Sequence, residues 1–209
     1  MLFRSIPGIE LGYCARPGEV DVRIMGERSA LDQADQIVRA ELGEAVFTAG
    51  DEAIEEVLVK LLSQKRQTLA VAESCTGGLL ANRITNVAGA SAVLRAGYVC
   101  YANEVKVDIL HVNPNLIEKH GAVSDEVARA MAEGARKRAE STYGLATTGI
   151  AGPTGGSAEK PVGTVYVALA HKNGTKIRKL FFPSDRETFK QLVAQVAFEM
   201  LRQKLIGNG

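Results

Sequence analysis

Between Thr68 and Leu205, short apolar runs and helix-patterned stretches take turns along the chain. Thr68–Ala72 reads as a buried strand and Gly78–Thr85 as a helix. Ala96–Tyr101 is again strand-like, with short helices over Glu104–Leu110 and Pro114–His120. Ser124 is a good N-cap, with Asp125 and Glu126 in the first turn, for a helix running to about Ser141. Leu145–Thr148 is a further strand. Thr164–Ala170 and Lys176–Phe182 pair across the turn signal Asn173-Gly174, and a last helix runs from Asp185 or Arg186 to about Leu205. Strands joined through helices predict an α/β fold. The closing hairpin makes the sheet mixed, within a three-layer α/β/α sandwich.

The first 66 residues have a different texture. Ile9–Ala15 and Val20–Met25 read as strands joined at Arg16-Pro17-Gly18. A helix follows, with Leu31, Ala34, Ile37, Val38 and Leu42 at helical spacing, and Val46-Phe47 reads as one more strand. This is a small α+β unit over 1–50. An amphipathic stretch, Asp51–Gln64, gives a connecting helix at 51–66, and the α/β part occupies 67–209.

Charge and cysteine usage exclude several classes. The 209 residues carry 25 basic and 24 acidic side chains, a net +1 that argues against a dedicated nucleic-acid binder. Residues 1–66 hold 8 basic and 12 acidic groups, so residues 67–209 carry a net +5, which suits a small anionic substrate and equally fits a chance partition of surface charge. No apolar run reaches the roughly 18 residues of a membrane span, and the start, Met1–Pro7, lacks the apolar core of a secretory signal. Cys14, Cys75 and Cys100 form no CxxC pair, and His111, His120 and His171 are scattered. Free thiols in a reducing cytoplasm and no metal site are the expectation.

Four stretches at strand ends are candidates for chemistry. In Glu73-Ser74-Cys75-Thr76-Gly77-Gly78 a strand meets a helix start, where free N–H groups favour an anion or oxyanion. Ser74 or Thr76 supplies a hydroxyl, and Gly77 and Gly78 let a ligand approach the backbone. The competing reading is a plain N-cap, and Cys75 is a weaker nucleophile candidate. In Tyr101-Ala102-Asn103-Glu104-Val105-Lys106, Lys106 is a general base if desolvated and otherwise a surface lysine. Thr147-Thr148 opens a loop with Gly149, Gly152, Gly155, Gly156 and Gly163, without the Walker pattern of a P-loop. Arg186, in Pro183-Ser184-Asp185-Arg186, is a candidate phosphate ligand or a solvated helix-start arginine.

Six blocks, LAVAESCTGG, YANEVK, HGAVSDEVARAMAEGA, TTGIAGPTGG, EKPVGTVYVAL and FPSDRE, resemble in order the C-terminal domain of the CinA competence/damage-inducible family. LGYCARPGEVDVRI resembles the end of that family's KH-like middle domain, although the GxxG clamp of RNA-binding KH domains is missing. The family's N-terminal molybdopterin-binding-like domain has no counterpart, so the chain is expected to be a fragment or short form. The resemblance implies an amidohydrolase that converts nicotinamide mononucleotide (NMN) to nicotinate mononucleotide and ammonia, without cofactor or metal. It implies Ser74 and Lys106 as the catalytic pair and Thr148 as a supporting hydroxyl. Thr76, Gly77, Ser91, Tyr101, Asn103, Gly149, Gly152 and Arg186 are the candidate substrate contacts. It further implies a cytoplasmic homodimer. The departures are Ala102 and Val105 in YANEVK and Ala90 before Ser91, and only Ala102 touches a possible polar contact. The alternatives are a nucleotide-binding module without turnover and a competence-associated interaction module. A nucleic-acid partner has little support, since the chain has no Trp and few aromatics to stack bases.

Overall fold

A computed structural model describes residues 6–207. The chain divides into two compact units, Met1–Glu52 and Ala53–Gly209. In the first, β1 (Ile9–Arg16) and β2 (Glu19–Gly26) form an antiparallel ladder. Pro17 and Gly18 make the turn, with Gly18 at φ +82, the positive value that a type II turn asks of its second central residue. Helix α1 (Arg28–Leu42) buries Ala34 and Val38. The strand expected at Val46-Phe47 does not form. A 3₁₀ turn at Gly43–Ala45 precedes it, and Thr48 starts a second turn by accepting from Gly50 N–H. Too little extended chain is left between the two turns to pair as a strand.

The second unit holds a five-stranded sheet in the order β4-β3-β5-β6-β7. Its strands are β3 (Leu69–Glu73), β4 (Leu94–Val99), β5 (Tyr143–Gly149), β6 (Thr164–His171) and β7 (Gly174–Phe181). β4, β3 and β5 run parallel, and β6 and β7 are antiparallel additions. The sheet is therefore mixed, as expected. The last turn sits one residue earlier than predicted: Lys172 and Asn173 form it, and Gly174, paired with His171, opens β7.

The alternation of strand side chains gives the sheet two unlike faces. One carries Ala70, Ala72, Ala146, Ala168 and Ala170, and α6 (Asp125–Arg138) packs on it through Val127, Ala128, Met131, Ala132 and Ala135. With α4 (Asn103–Leu110) and α5 (Pro114–His120), it makes one outer layer. Ser124 caps α6 as predicted, its Oγ accepting from Val127 N–H at 3.3 Å. The other face carries Leu69, Val71, Leu145, Val167 and Leu169, and α7 (Arg186–Ile206) covers it with Phe189, Val193, Ala197, Phe198 and Leu201 buried. Each of the Val, Leu and Phe side chains among these contributes about 1.5–3 kcal/mol.

The helix expected as a connector is α2 (Ile54–Lys65), and it packs on α7 and on α3 (Leu79–Thr85) within the second unit. Arg83 of α3 binds Glu55 of α2 through two hydrogen bonds, at 3.1 and 2.6 Å, and lies over the Phe198 ring of α7.

The alanine face leaves α6 no spare distance. A Cβ on Gly144 of β5 would collide with the backbone oxygen of Ala132 and with Arg136 of α6. Gly144→Ala is therefore expected to destabilise the fold by about 1–3 kcal/mol, as overpacked cores do. Urea unfolding followed by circular dichroism measures this, and an unchanged midpoint would show that α6 can move away at no cost.

Candidate active site

Glu73 is in register with Thr147 on one side and Val99 on the other, so the three parallel strands end at one edge of the sheet. Ser74 is the first residue beyond β3, and its N–H donates to Thr147 O at 3.0 Å. The chain then turns through Gly77 (φ +62) and Gly78 (φ +96), consecutive left-handed positions that only glycine adopts cheaply. Helix α3 starts at Leu79. The free N–H groups expected at its start are not free: the buried Glu73 carboxyl accepts from Gly78 N at 3.0 Å, Leu80 N at 3.0 Å and Ala81 N at 2.9 Å. An internal side chain has taken the place foreseen for a ligand anion.

Lys106 is 1% exposed and is the largest fully buried side chain among the described residues. Its Nζ donates to Tyr101 O at 2.9 Å and, more weakly, to Ala102 O at 3.5 Å. No hydrogen bond joins it to Ser74 among the described residues. Desolvation pulls the amine below the ordinary lysine value. The neighbouring Cys100, Cys75 and Glu104 act in the opposite direction.

Ser74, Lys106 and Thr148 line one cavity of about 270 Å³, together with Tyr101, Asn103, Gly149, Gly152 and Arg186. Thr148 Oγ1 donates to Ala122 O at 2.8 Å, which fixes the wall between α5 and α6. Lys160 holds the same wall, its Nζ donating to His120 O at 2.6 Å. Arg186 donates to Gly152 O and to Tyr101 Oη, each at 2.8 Å, and so clamps the glycine loop to the end of β4. Two basic side chains, Lys106 and Arg186, and no carboxylate line the cavity, a lining that favours an anion at the Arg186 end.

Three expected residues lie elsewhere. Thr76 is fully buried and shares a 2.7 Å hydrogen bond with Thr147 Oγ1, so its hydroxyl is used inside the protein. Gly77 shapes the turn but does not line the cavity, and a Cβ there would approach Lys190 Nζ. Ser91 is exposed in a 3₁₀ turn (Ala90–Ala92) just before β4 begins. The cavity lies past the other end of that strand, roughly 20 Å away at a strand's rise of about 3.3 Å per residue.

Residues 51–205 match the family model of the CinA C-terminal domain. The chain belongs to the CinA family. It is 42% identical to a CinA-like protein of Koribacter versatilis and 44% identical to one of Geobacter sulfurreducens. Each alignment covers 98% of this chain and 51% of the relative. The chain thus spans about half the length of the curated relatives it matches. Among solved structures, the competence/damage inducible protein CihA of Agrobacterium tumefaciens superposes with a TM-score of 0.69 at 37% identity, over 76% of this chain and 99% of that one. A CinA superfamily protein of Escherichia coli gives a TM-score of 0.68 at 33% identity, over 78% and 98% of the two chains.

Within this CinA domain, Glu73 is the residue that sequence reasoning missed. The available signal was an acidic side chain closing an apolar strand directly before a turn with paired glycines. Cys75 also lines the cavity, but burial pushes its thiol up to about 12, and the Thr147 hydrogen bond offsets only part of that. A neutral, buried thiol is a poor nucleophile, which leaves Ser74 as the better candidate. Of the three free cysteines only Cys14 is exposed. A dithionitrobenzoate titration of the native CinA chain near neutral pH should therefore count one reactive thiol, rising to three on denaturation. Rapid reaction of a second thiol in the folded protein would contradict the burial of Cys75 and Cys100.

Proposed function

We propose that this chain hydrolyses the carboxamide of NMN, giving nicotinate mononucleotide and ammonia, through Ser74 and Lys106. The observation that carries the reading is a buried, desolvated lysine in a cavity that also holds a serine and no carboxylate. A carboxamide is a weak electrophile, so a positioned nucleophile and a base of suitable pKa are what its hydrolysis needs. Neutral Lys106 has two N–H donors, and the carbonyls of Tyr101 and Ala102 accept both. Its lone pair then remains for the Ser74 proton.

The steps balance without an added reagent. Ser74 Oγ bonds to the amide carbon as its proton passes to Lys106. The C–N bond then breaks, and the Lys106 ammonium gives that proton to the departing nitrogen, which leaves as ammonia. Water, deprotonated by the same amine, attacks the acyl-enzyme, and Ser74 recovers its proton as nicotinate mononucleotide departs. With Glu73 occupying the α3 terminus, the oxyanion donor is the N–H of the cavity-lining Cys75, which the turn's backbone hydrogen bonds do not use. Such donors are typically worth ~2.7–4 kcal/mol each. Arg186, with guanidinium donors beyond its two contacts, meets the phosphate. Thr148 acts through the wall it holds.

Ammonia release from NMN should fall by at least about 10³-fold in Ser74→Ala and in Lys106→Ala, with folding retained. In the wild type, kcat/KM should rise with pH as Lys106 loses its proton. Because desolvation lowers that pKa, the rising limb has its midpoint below the ordinary lysine value of 10.5. Lys106→Arg stays charged at every accessible pH and should remain inactive throughout. Full activity in Ser74→Ala would remove the acyl-enzyme from the scheme. Calorimetric binding of NMN with no ammonia above background would instead favour a nucleotide-binding module.

A further inference from the structure

The Glu73 side chain does something that a strand residue rarely does: its carboxyl reaches over the turn that follows it. Its backbone belongs to β3, in register with both neighbouring strands, and its carbonyl accepts from Cys100 N–H at 2.8 Å. Its carboxyl accepts from three N–H groups at positions 78, 80 and 81. The segment Ser74–Gly77 is therefore a closed loop, fastened at one end by the strand and at the other by the same residue's side chain. Two more contacts hold the loop: Ser74 N–H ties it to Thr147 O of β5, and Gly77 N–H closes it on Ser74 O at 3.2 Å. Thr76 adds a side-chain tether to Thr147.

An ordinary N-cap would not need this arrangement. A Ser, Thr or Asp with extended backbone satisfies a helix start locally, but Gly78 sits at φ +96, where such a cap would be strained, so the N–H groups are met from Glu73 instead. Burying it costs desolvation that only its three hydrogen bonds offset. What the longer reach adds is a fixed distance between the sheet and the helix, with Ser74 in between. We infer that Glu73 is a positioning residue for Ser74, holding the turn so that Oγ is presented to the cavity opposite Lys106. This rests on the proposed Ser-Lys reading for its kinetic consequence and on the hydrogen bonds alone for its geometry.

The test compares wild type, Glu73→Gln and Glu73→Asp. Gln keeps the shape but turns an amide NH₂ toward backbone donors, and Asp keeps the charge but is one methylene too short. Two readouts are taken on folded protein: steady-state ammonia release from NMN, and the rate at which a fluorophosphonate labels Ser74, with Ser74→Ala as the blank. A mispositioned nucleophile costs on the order of 10–10²-fold in kcat. KM should stay within about twofold, because Arg186 and the glycine loop are untouched. Labelling should slow in the same proportion.

Val193→Ala, in the α7 core, serves as a control of comparable thermal destabilisation and should keep wild-type kcat and labelling. A folded Glu73→Gln with wild-type kcat and labelling rate overturns the inference, as does failure of both variants to fold, which would assign Glu73 to stability alone. If the wild type releases no ammonia but Ser74 still labels, the amidase reading fails and labelling decides the role of Glu73. A wild type that neither turns over NMN nor labels removes both.

Discussion

A strand buried on both faces must dispose of its polar ends within the protein, and at the end of β3 that requirement shapes the site. All five residues of β3 are buried, including Glu73. An uncompensated carboxyl there would be costly, and so would three orphan N–H groups at the start of α3. Pairing the two removes both costs together. The geometry of the pairing then dictates the rest: a short turn, two left-handed glycines and a serine at its start. The parallel register carries the consequence sideways, because it brings the ends of β4 and β5, with Tyr101 and Thr148, to the same edge.

Across the cavity, two cations are held in contrasting ways. Lys106 is enclosed, its amine donates only to backbone carbonyls, and desolvation pulls it below the ordinary lysine value. Arg186 is exposed at the mouth, where its guanidinium donates to Gly152 O and to Tyr101 Oη. Tyr101 links them, its carbonyl accepting from Lys106 and its hydroxyl from Arg186. An enclosed and an exposed basic side chain thus share one scaffold residue. The net +5 of residues 67–209 supplies a background potential, but burial separates the two roles.

The architecture was legible because periodicity reports burial directly. Apolar runs between helical patterns marked every strand of the main sheet, and Ser124 marked the start of α6. The places where sequence reasoning failed share a cause. Val46-Phe47 has strand composition, yet pairing needs length, and the flanking turns consume it. The hairpin turn sits one residue earlier because Gly174 already pairs with His171, at a φ of +138 that glycine tolerates and other residues rarely adopt. Ser91 lies near site blocks along the chain, but β4 runs between it and the cavity, and one-dimensional proximity does not say which end of a strand a residue occupies. Thr76 and Ser74 look equivalent as hydroxyls flanking Cys75. Only the sheet register shows that Thr76 meets Thr147 in the interior while Ser74 lines the cavity.

Glu73 was the least legible residue, and the reason is physical. In a sequence, an acidic side chain at the end of an apolar strand is the normal mark of a strand leaving the core, so it reads as solvent-facing. Its burial follows from partners five to eight residues later, which are backbone groups and leave no trace in residue identity. The same blindness hides the state of Lys106, whose acceptors are also main-chain carbonyls. Side-chain chemistry announces itself in a sequence, whereas the backbone groups that tune it become visible only when the chain is folded. In this domain Glu73 and Lys106 both depend on such partners, one directly before Ser74 in the chain and the other lining the same cavity as Ser74.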